Sequence, residues 1–183
     1  MKIINRDVGL NELLLTELPD LRDVQVRGDF YCNDNDLQSL EGAPTYAGGD
    51  FWCSNNNLLS LEGAPTRVEG SFYCHNNNLQ SLEGVPTRVD GEFSCSNNNL
   101  RSLEGAPTHV SGSFWCSNNY LRSLEGTPTR VDGDFYCSDN NLQSLEGIPT
   151  YVRGDFYCRN NRGIKITEEM IREVCNVKGE VYV

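Results

Sequence analysis

Long apolar runs are missing. No segment of the 183 residues approaches the ~20 consecutive apolar residues that span a bilayer. The opening stretch, MKIINRDVGLNELLL, also lacks the cationic start and long apolar run of a secretory leader. Positive charge is scarce. Fifteen Lys and Arg stand against 26 Asp and Glu, a formal net charge of −11. Nucleic acid and anionic membranes are bound through positive surface, so direct docking on either is not expected. A basic or neutral partner is. Catalytic signatures are absent as well: there is no Ser-His-Asp constellation, Gly-rich phosphate loop or HExxH. The two histidines, His75 and His109, occupy different repeat positions and read as incidental surface residues. The expectation is a cytoplasmic protein with no catalytic centre, no cofactor and no metal.

Cysteine is plentiful, with eight residues, yet its placement argues against a disulfide scaffold. Cys32, Cys53, Cys74, Cys95, Cys116, Cys137 and Cys158 fall at one position of a repeat, and Cys175 stands apart. One cysteine per repeat at a constant place behaves as a small buried apolar residue. No second ligand type recurs beside it, as a metal ladder would need.

The repeat has a period of 21 residues. Six full copies begin at Gly28, Gly49, Gly70, Gly91, Gly112 and Gly133, and a seventh at Gly154 departs after Asn161. All seven phenylalanines, Phe30 through Phe156, share one position, with the cysteines two residues on. Phe-x-Cys is period-2 alternation, hence a short strand with both side chains inward. The following NNNL and EGAPT segments can neither continue a strand nor build a helix. One rung cannot bury its own apolar face, so the rungs must stack. Of the asparagines after the strand, only one place never varies: Asn35, Asn56, Asn77, Asn98, Asn119, Asn140 and Asn161. A constant turn Asn fits a structural ladder bonding backbone groups of adjacent rungs. Leu37 and Leu40 with their equivalents complete the expected core. The recurrent glutamates, Glu41 through Glu146, precede the turn glycine and are expected to bond free backbone N–H groups.

Phe-x-Cys-Ser-x-Asn-x-Leu-x-Ser-Leu resembles the leucine-rich repeat, L-x-x-L-x-L-x-x-N-x-L, with Phe and Cys in two Leu places. The segment CSNNNLRSLEGAP is most similar to the short bacterial subtype, and the repeat wording is also similar to repeat proteins of tailed-phage genomes. The match covers residues 28–161. The chain departs from the pattern in placing a Val one residue before the first Leu place, as at Val89, and in having no helical convex side. The resemblance implies a β-rich solenoid with parallel strands on a concave face and irregular return segments. It also implies protein recognition as the function, acting in the host cytoplasm for a viral protein.

Solenoid ends need caps. Residues 1–27 read as a degenerate N-terminal capping rung, 28–161 as the solenoid, and 162–183 as a C-terminal cap. In the last, ITEEMIREVC has helical spacing in Ile166, Met170, Ile171 and Val174, with Thr167 as N-cap. The final VKGEVYV overlays VDGDFYC, so the chain ends on an eighth strand, with Val181 in the Phe place.

Residues alternating with the core positions face outward. Between Phe and Cys stand Tyr31, Trp52, Tyr73, Ser94, Trp115, Tyr136, Tyr157 and, on the last strand, Tyr182. Before Phe stand Asp29, Asp50, Ser71, Glu92, Ser113, Asp134, Asp155 and Glu180. Eight strands at ~4.8 Å make a face about 34 Å long. Stacked aromatics can serve sheet stability alone. A row of like charges, however, repels itself, and exposed contiguous aromatics reduce solubility. The two rows are therefore expected to bind a protein with a basic surface, Tyr and Trp as anchors and acids as selectors. A sugar polymer is the alternative ligand. An acidic decoy of a nucleic-acid-binding protein is a further one, weakened by the aromatic row that interrupts the charge pattern. Ser94 is the one gap in the row, flanked by the only two tryptophans, Trp52 and Trp115, with Glu92 at its edge. A basic or apolar partner group is expected to insert there.

Overall fold

The computed structural model describes residues 2–183. Each 21-residue repeat closes one turn of a parallel β-solenoid and contributes two very short strands. The Phe-x-Cys segment supplies one, as at Phe93–Ser94. The segment ending in the recurrent valine supplies the other, as at Arg88–Val89. The strands collect into two nine-stranded sheets, in each of which successive turns are neighbours. Every pairing is parallel and none slips: Phe93 lies opposite Phe72 and Phe114, and Val89 opposite Val68 and Val110.

The register follows from burial. Phe30, Phe51, Phe72, Phe93, Phe114, Phe135 and Phe156 are fully buried and stack with ring centroids 5.0–6.0 Å apart. Shifting one strand by a residue would turn its Phe and Cys outward. The leucines of the turns and the valines of the second sheet close the core, nearly all at zero exposure. All eight cysteines are free and buried. Four ladder thiols also donate to a carbonyl of the next turn, as Cys74 Sγ does to Ser94 O at 3.2 Å. Cysteine here is a small core residue with one weak donor.

The asparagine run divides into three jobs. Its first place, held by Asp34, Asn55, Asn76, Asn97, Asn118, Asp139 and Asn160, is left-handed at φ 53–58°. Asn and Asp are the non-glycine residues that tolerate this conformation best. Its second place is the constant Asn. Asn98 Oδ1 accepts from Leu79 N at 3.0 Å, while its Nδ2 donates to the carbonyls of Cys74, Cys95 and Ser96 at 3.0–3.2 Å. The same set recurs at Asn56, Asn77, Asn119 and Asn140. The third place donates its own N–H to a leucine carbonyl of the preceding turn, as Asn99 does to Leu79.

Four sequence expectations are corrected. The return segments are not wholly irregular, since each holds a strand of the second sheet. Residues 1–27 carry a complete turn: Lys2–Ile4 opens one sheet and Val8–Gly9 the other, with Val8 opposite Phe30, so the strands number nine and not eight. The recurrent glutamates leave the backbone alone. It is Ser39, Ser81, Ser102 and Ser144, two residues earlier, whose hydroxyls accept the N–H of Glu41, Glu83, Glu104 and Glu146. The helix Glu168–Val174 has Thr167 at its N-cap as read, but only Ile171 is buried, with Met170 and Val174 facing out. The helix is an insertion in the return segment between Phe156–Tyr157 of the first sheet and Asn176–Val177 of the second, the latter pairing with Tyr151–Val152. The chain then returns to pair Val181 with Phe156.

Candidate functional site

The outward positions of the Phe-x-Cys sheet form two parallel rows. In the aromatic row the rings stack on one another. One run joins Tyr31, Trp52 and Tyr73, with centroids 6.3 and 4.0 Å apart. A second joins Trp115, Tyr136, Tyr157 and Tyr182, at 3.6, 4.4 and 4.6 Å. The spacing is that of the strands, so each ring covers a face of the next and turns its edge to solvent. All seven are half-buried.

The acidic row has internal partners that its residue types did not reveal. Oδ1 of Asp29, Asp50, Asp134 and Asp155 accepts the backbone N–H of Asp50, Ser71, Asp155 and Glu180 on the next strand, at 2.7–2.9 Å. Where the row holds serine, Ser71 and Ser113 hydroxyls accept the equivalent N–H of Glu92 and Asp134. Asp7, on the first turn, begins the series by accepting from Asp29 N. Oδ2 of Asp29, Asp134 and Asp155 meanwhile accepts from Tyr31, Tyr136 and Tyr157 hydroxyls. The carboxylate beside each phenol disfavours its ionisation. Tyr31 is pushed up to about 12 by its bond to Asp29, and Tyr136 is raised by burial and then by Asp134. The self-repulsion that made the row look costly is thus offset by two hydrogen bonds at each of Asp29, Asp134 and Asp155 and by one at Asp50. Glycine opens each strand because this ladder leaves no room for more: a Cβ at Gly154 would collide with Asp134 Oδ1.

The two ring stacks are separated by Ser94, which lies opposite Tyr73 on one side and Trp115 on the other. Its aromatic neighbours are therefore Tyr73 and Trp115. Trp52, which the sequence reading placed beside it, stands one turn further off. The gap is a recess of about 290 Å³, walled by Tyr73 and Trp115 and floored by Ser94 and Ser96, with His75, Glu92 and Asn97 at its margins. Glu92 Oε2 accepts from the Tyr73 hydroxyl at 3.1 Å. Ser96 is only 8% exposed, and neither its Oγ nor His75 Nδ1 has a hydrogen-bond partner among the described residues. Buried polar atoms are seldom left so. His75 packs edge-on against Tyr73, and burial lowers its pKa while Asp34 acts weakly the other way.

His75 and Ser96 were missed in the sequence. His75 does not recur in kind at its repeat position, Ser96 recurs as Ser54, Ser117 and Ser138 and so reads as part of the period, and nothing in the period tells that the position after Cys adjoins the gap in the aromatic row. On the second sheet, Arg67, Arg88 and Arg130 pair with Glu69, Asp90 and Asp132, all on the surface. Such pairs contribute little to stability. His109 bonds Ser111 there. Among the described residues no helix is long and apolar enough to cross a membrane.

No family model matches the chain, and no curated protein matches it. Among solved structures it is similar to YopM from Yersinia enterocolitica WA-314, at 17% identity and a TM-score of 0.34. That match covers 97% of this chain and 55% of the other, so the chain spans about half the length of that protein. At this degree of likeness no feature of one protein passes to the other, and the architecture stands on its own strand order: a parallel β-solenoid of nine turns with one short helix near its C-terminus.

Proposed function

We propose that the protein is a non-enzymatic binding module that holds a partner protein against the face bearing the aromatic and acidic rows. The observation that carries this reading is the pair of ring stacks, half-buried and open along one edge over some 34 Å, a length suited to a macromolecule. Tyr and Trp held rigid by their neighbours contribute contact area while losing little freedom on binding. With a net charge of −11 the face favours a partner of basic surface and speeds its approach. The likeness of the repeats to those of tailed-phage genomes makes a host protein the natural partner of a phage-encoded module. Residues 1–27 and 162–183 serve as the caps of 28–161.

The ring stacks weigh against a sugar polymer. Sugars lie on ring faces, and here each face within a stack is covered by the next ring. The test is capture from host lysate by the wild-type chain and by Trp52→Ala/Trp115→Ala. A protein retained by the first and lost by the second, with melting temperature preserved, supports the reading. Equal recovery by both sinks it, and retention on a glycan array instead would move the function to carbohydrate.

A further inference from the structure

The Ser94 recess is where two stacks of the aromatic row turn end faces toward each other across a gap. Tyr136 covers one face of Trp115 at 3.6 Å, which leaves the other turned toward Ser94. Trp52 likewise covers one side of Tyr73 at 4.0 Å. Two strand spacings, about 9.6 Å, separate the backbones that carry these rings. A planar group in van der Waals contact with both needs about 7 Å between them. Two flat groups would need about 10.5 Å, so the recess admits one and not two, with about 2.6 Å that tilt of the rings can take up; it is the place where an eighth ring would have continued the stack.

The margins select among flat groups. Glu92 accepts from Tyr73 through one oxygen, and its other oxygen takes no hydrogen bond among the described residues. Ser96 Oγ and His75 Nδ1 are buried without partners. Burial holds the imidazole below its ordinary pKa and so uncharged at neutral pH, where it does not repel a cation. The occupant should thus be planar, cationic and rich in donors. A guanidinium meets all three conditions: it stacks on aromatic faces, carries five N–H groups in a plane and is weakly hydrated. An ammonium is neither flat nor easily dehydrated, and a phenyl ring leaves the carboxylate and hydroxyl unmet.

We propose that the recess receives an arginine side chain of the partner protein, its guanidinium sandwiched between Tyr73 and Trp115 and hydrogen-bonded to Glu92 and Ser96. This rests on the binding-face reading above and names its central contact. The recess lies on the fifth of the nine strands of its sheet, so the contact stands at mid-face, where binding energy concentrates.

The test uses the full chain and three small probes: N-acetylarginine methylamide and its lysine and phenylalanine counterparts. Binding is followed by the indole N–H resonances of Trp115 and Trp52 in ¹H–¹⁵N spectra. The arginine probe should shift Trp115 far more than Trp52, with a dissociation constant on the order of millimolar, as suits one side chain. The lysine and phenylalanine probes should bind at least about tenfold more weakly. Glu92→Gln keeps an acceptor for Tyr73 but removes the charge, and should weaken the arginine probe roughly tenfold. Ser94→Trp should abolish binding by filling the gap. Should that variant fold poorly, Glu92→Gln decides alone. Equal binding of arginine and lysine probes, equal shifts at both tryptophans, or no effect of Glu92→Gln would overturn the assignment. If the arginine probe fails while capture of a partner still depends on Trp115, the recess assignment falls and the binding face survives. If the probe binds as expected and no protein is ever captured, the reverse holds.

Discussion

Removing one rung of the asparagine ladder gives the sharpest measure of what holds the turns together. In Asn98→Ala, the buried N–H of Leu79 loses its only acceptor, Asn98 Oδ1 at 3.0 Å. A buried amide left unpaired costs about 1–3 kcal/mol. The three carbonyls that Asn98 serves lose less, because each has a second donor. Asn77 also serves Cys74, Asn119 also serves Cys95, and Asn76 N serves Ser96. Adding their weakened bonds and the small void gives a total near 3 kcal/mol. For a chain of this length that lowers the melting temperature by roughly 6–12 °C. Asn161 is the internal control. Its Oδ1 has no partner and the residue is partly exposed, so Asn161→Ala strands no buried N–H and should cost under about 1 kcal/mol. Asn98→Asp should exceed both, since it presents a buried carboxylate to three carbonyl oxygens. Urea and thermal unfolding by far-UV circular dichroism measure all three, with tryptophan fluorescence as a second probe. Coincidence of the two transitions matters, because a solenoid broken in the middle can unfold in halves. Equal losses at Asn98 and Asn161, or a loss below about 1 kcal/mol at Asn98, would refute the reasoning.

The thiols offer two further checks. Cys175 stands outside the ladder, but it is buried to 2% exposure like the rest, so Ellman's reagent should find no fast-reacting thiol in the native protein and eight after unfolding. Burial raises the pKa of Cys32, Cys53, Cys74, Cys95, Cys116 and Cys137. With folded values above unfolded ones, their contribution is whole below the ordinary thiol range and is lost as pH rises from there toward the folded values, by ~1.4 kcal/mol per thiol per pH unit. Melting temperature should therefore fall steeply above about pH 9, and a flat profile into the strongly alkaline range would contradict the burial of the ladder. Gly84 sits at φ +97° with a hypothetical Cβ 2.5 Å from Leu61 O, so Gly84→Ala should cost upwards of about 2 kcal/mol in urea unfolding. A neutral result there would mean that the turn relaxes freely.

The 21-residue period by itself determined the solenoid, the inward Phe and Cys, the place of the last strand and the existence of an outward aromatic row. These follow from local alternation and from repetition: a residue that recurs once per turn must meet its own copies in a parallel stack, as Phe93 meets Phe72 and Phe114. Where the period is broken, the sequence alone went astray. The first turn was hidden because Val8 and Leu10 stand where the repeat has Phe and Cys, and the second sheet because a two-residue strand leaves no alternation to read. The partners of the outward rows belong wholly to the tertiary structure. Asp29 reads as a free carboxylate in the sequence, yet the 21-residue step brings Asp50 N within 2.7 Å of it. His75 and Ser96 read as unrelated residues 21 positions apart, yet stacking sets them beside the gap that Ser94 leaves between two rings. A repeat dictates what each rung has in common. What each rung has in particular gains its meaning only from which neighbour the stacking sets beside it, because hydrogen bonds and ring contacts act across a few ångströms of space and not along the chain.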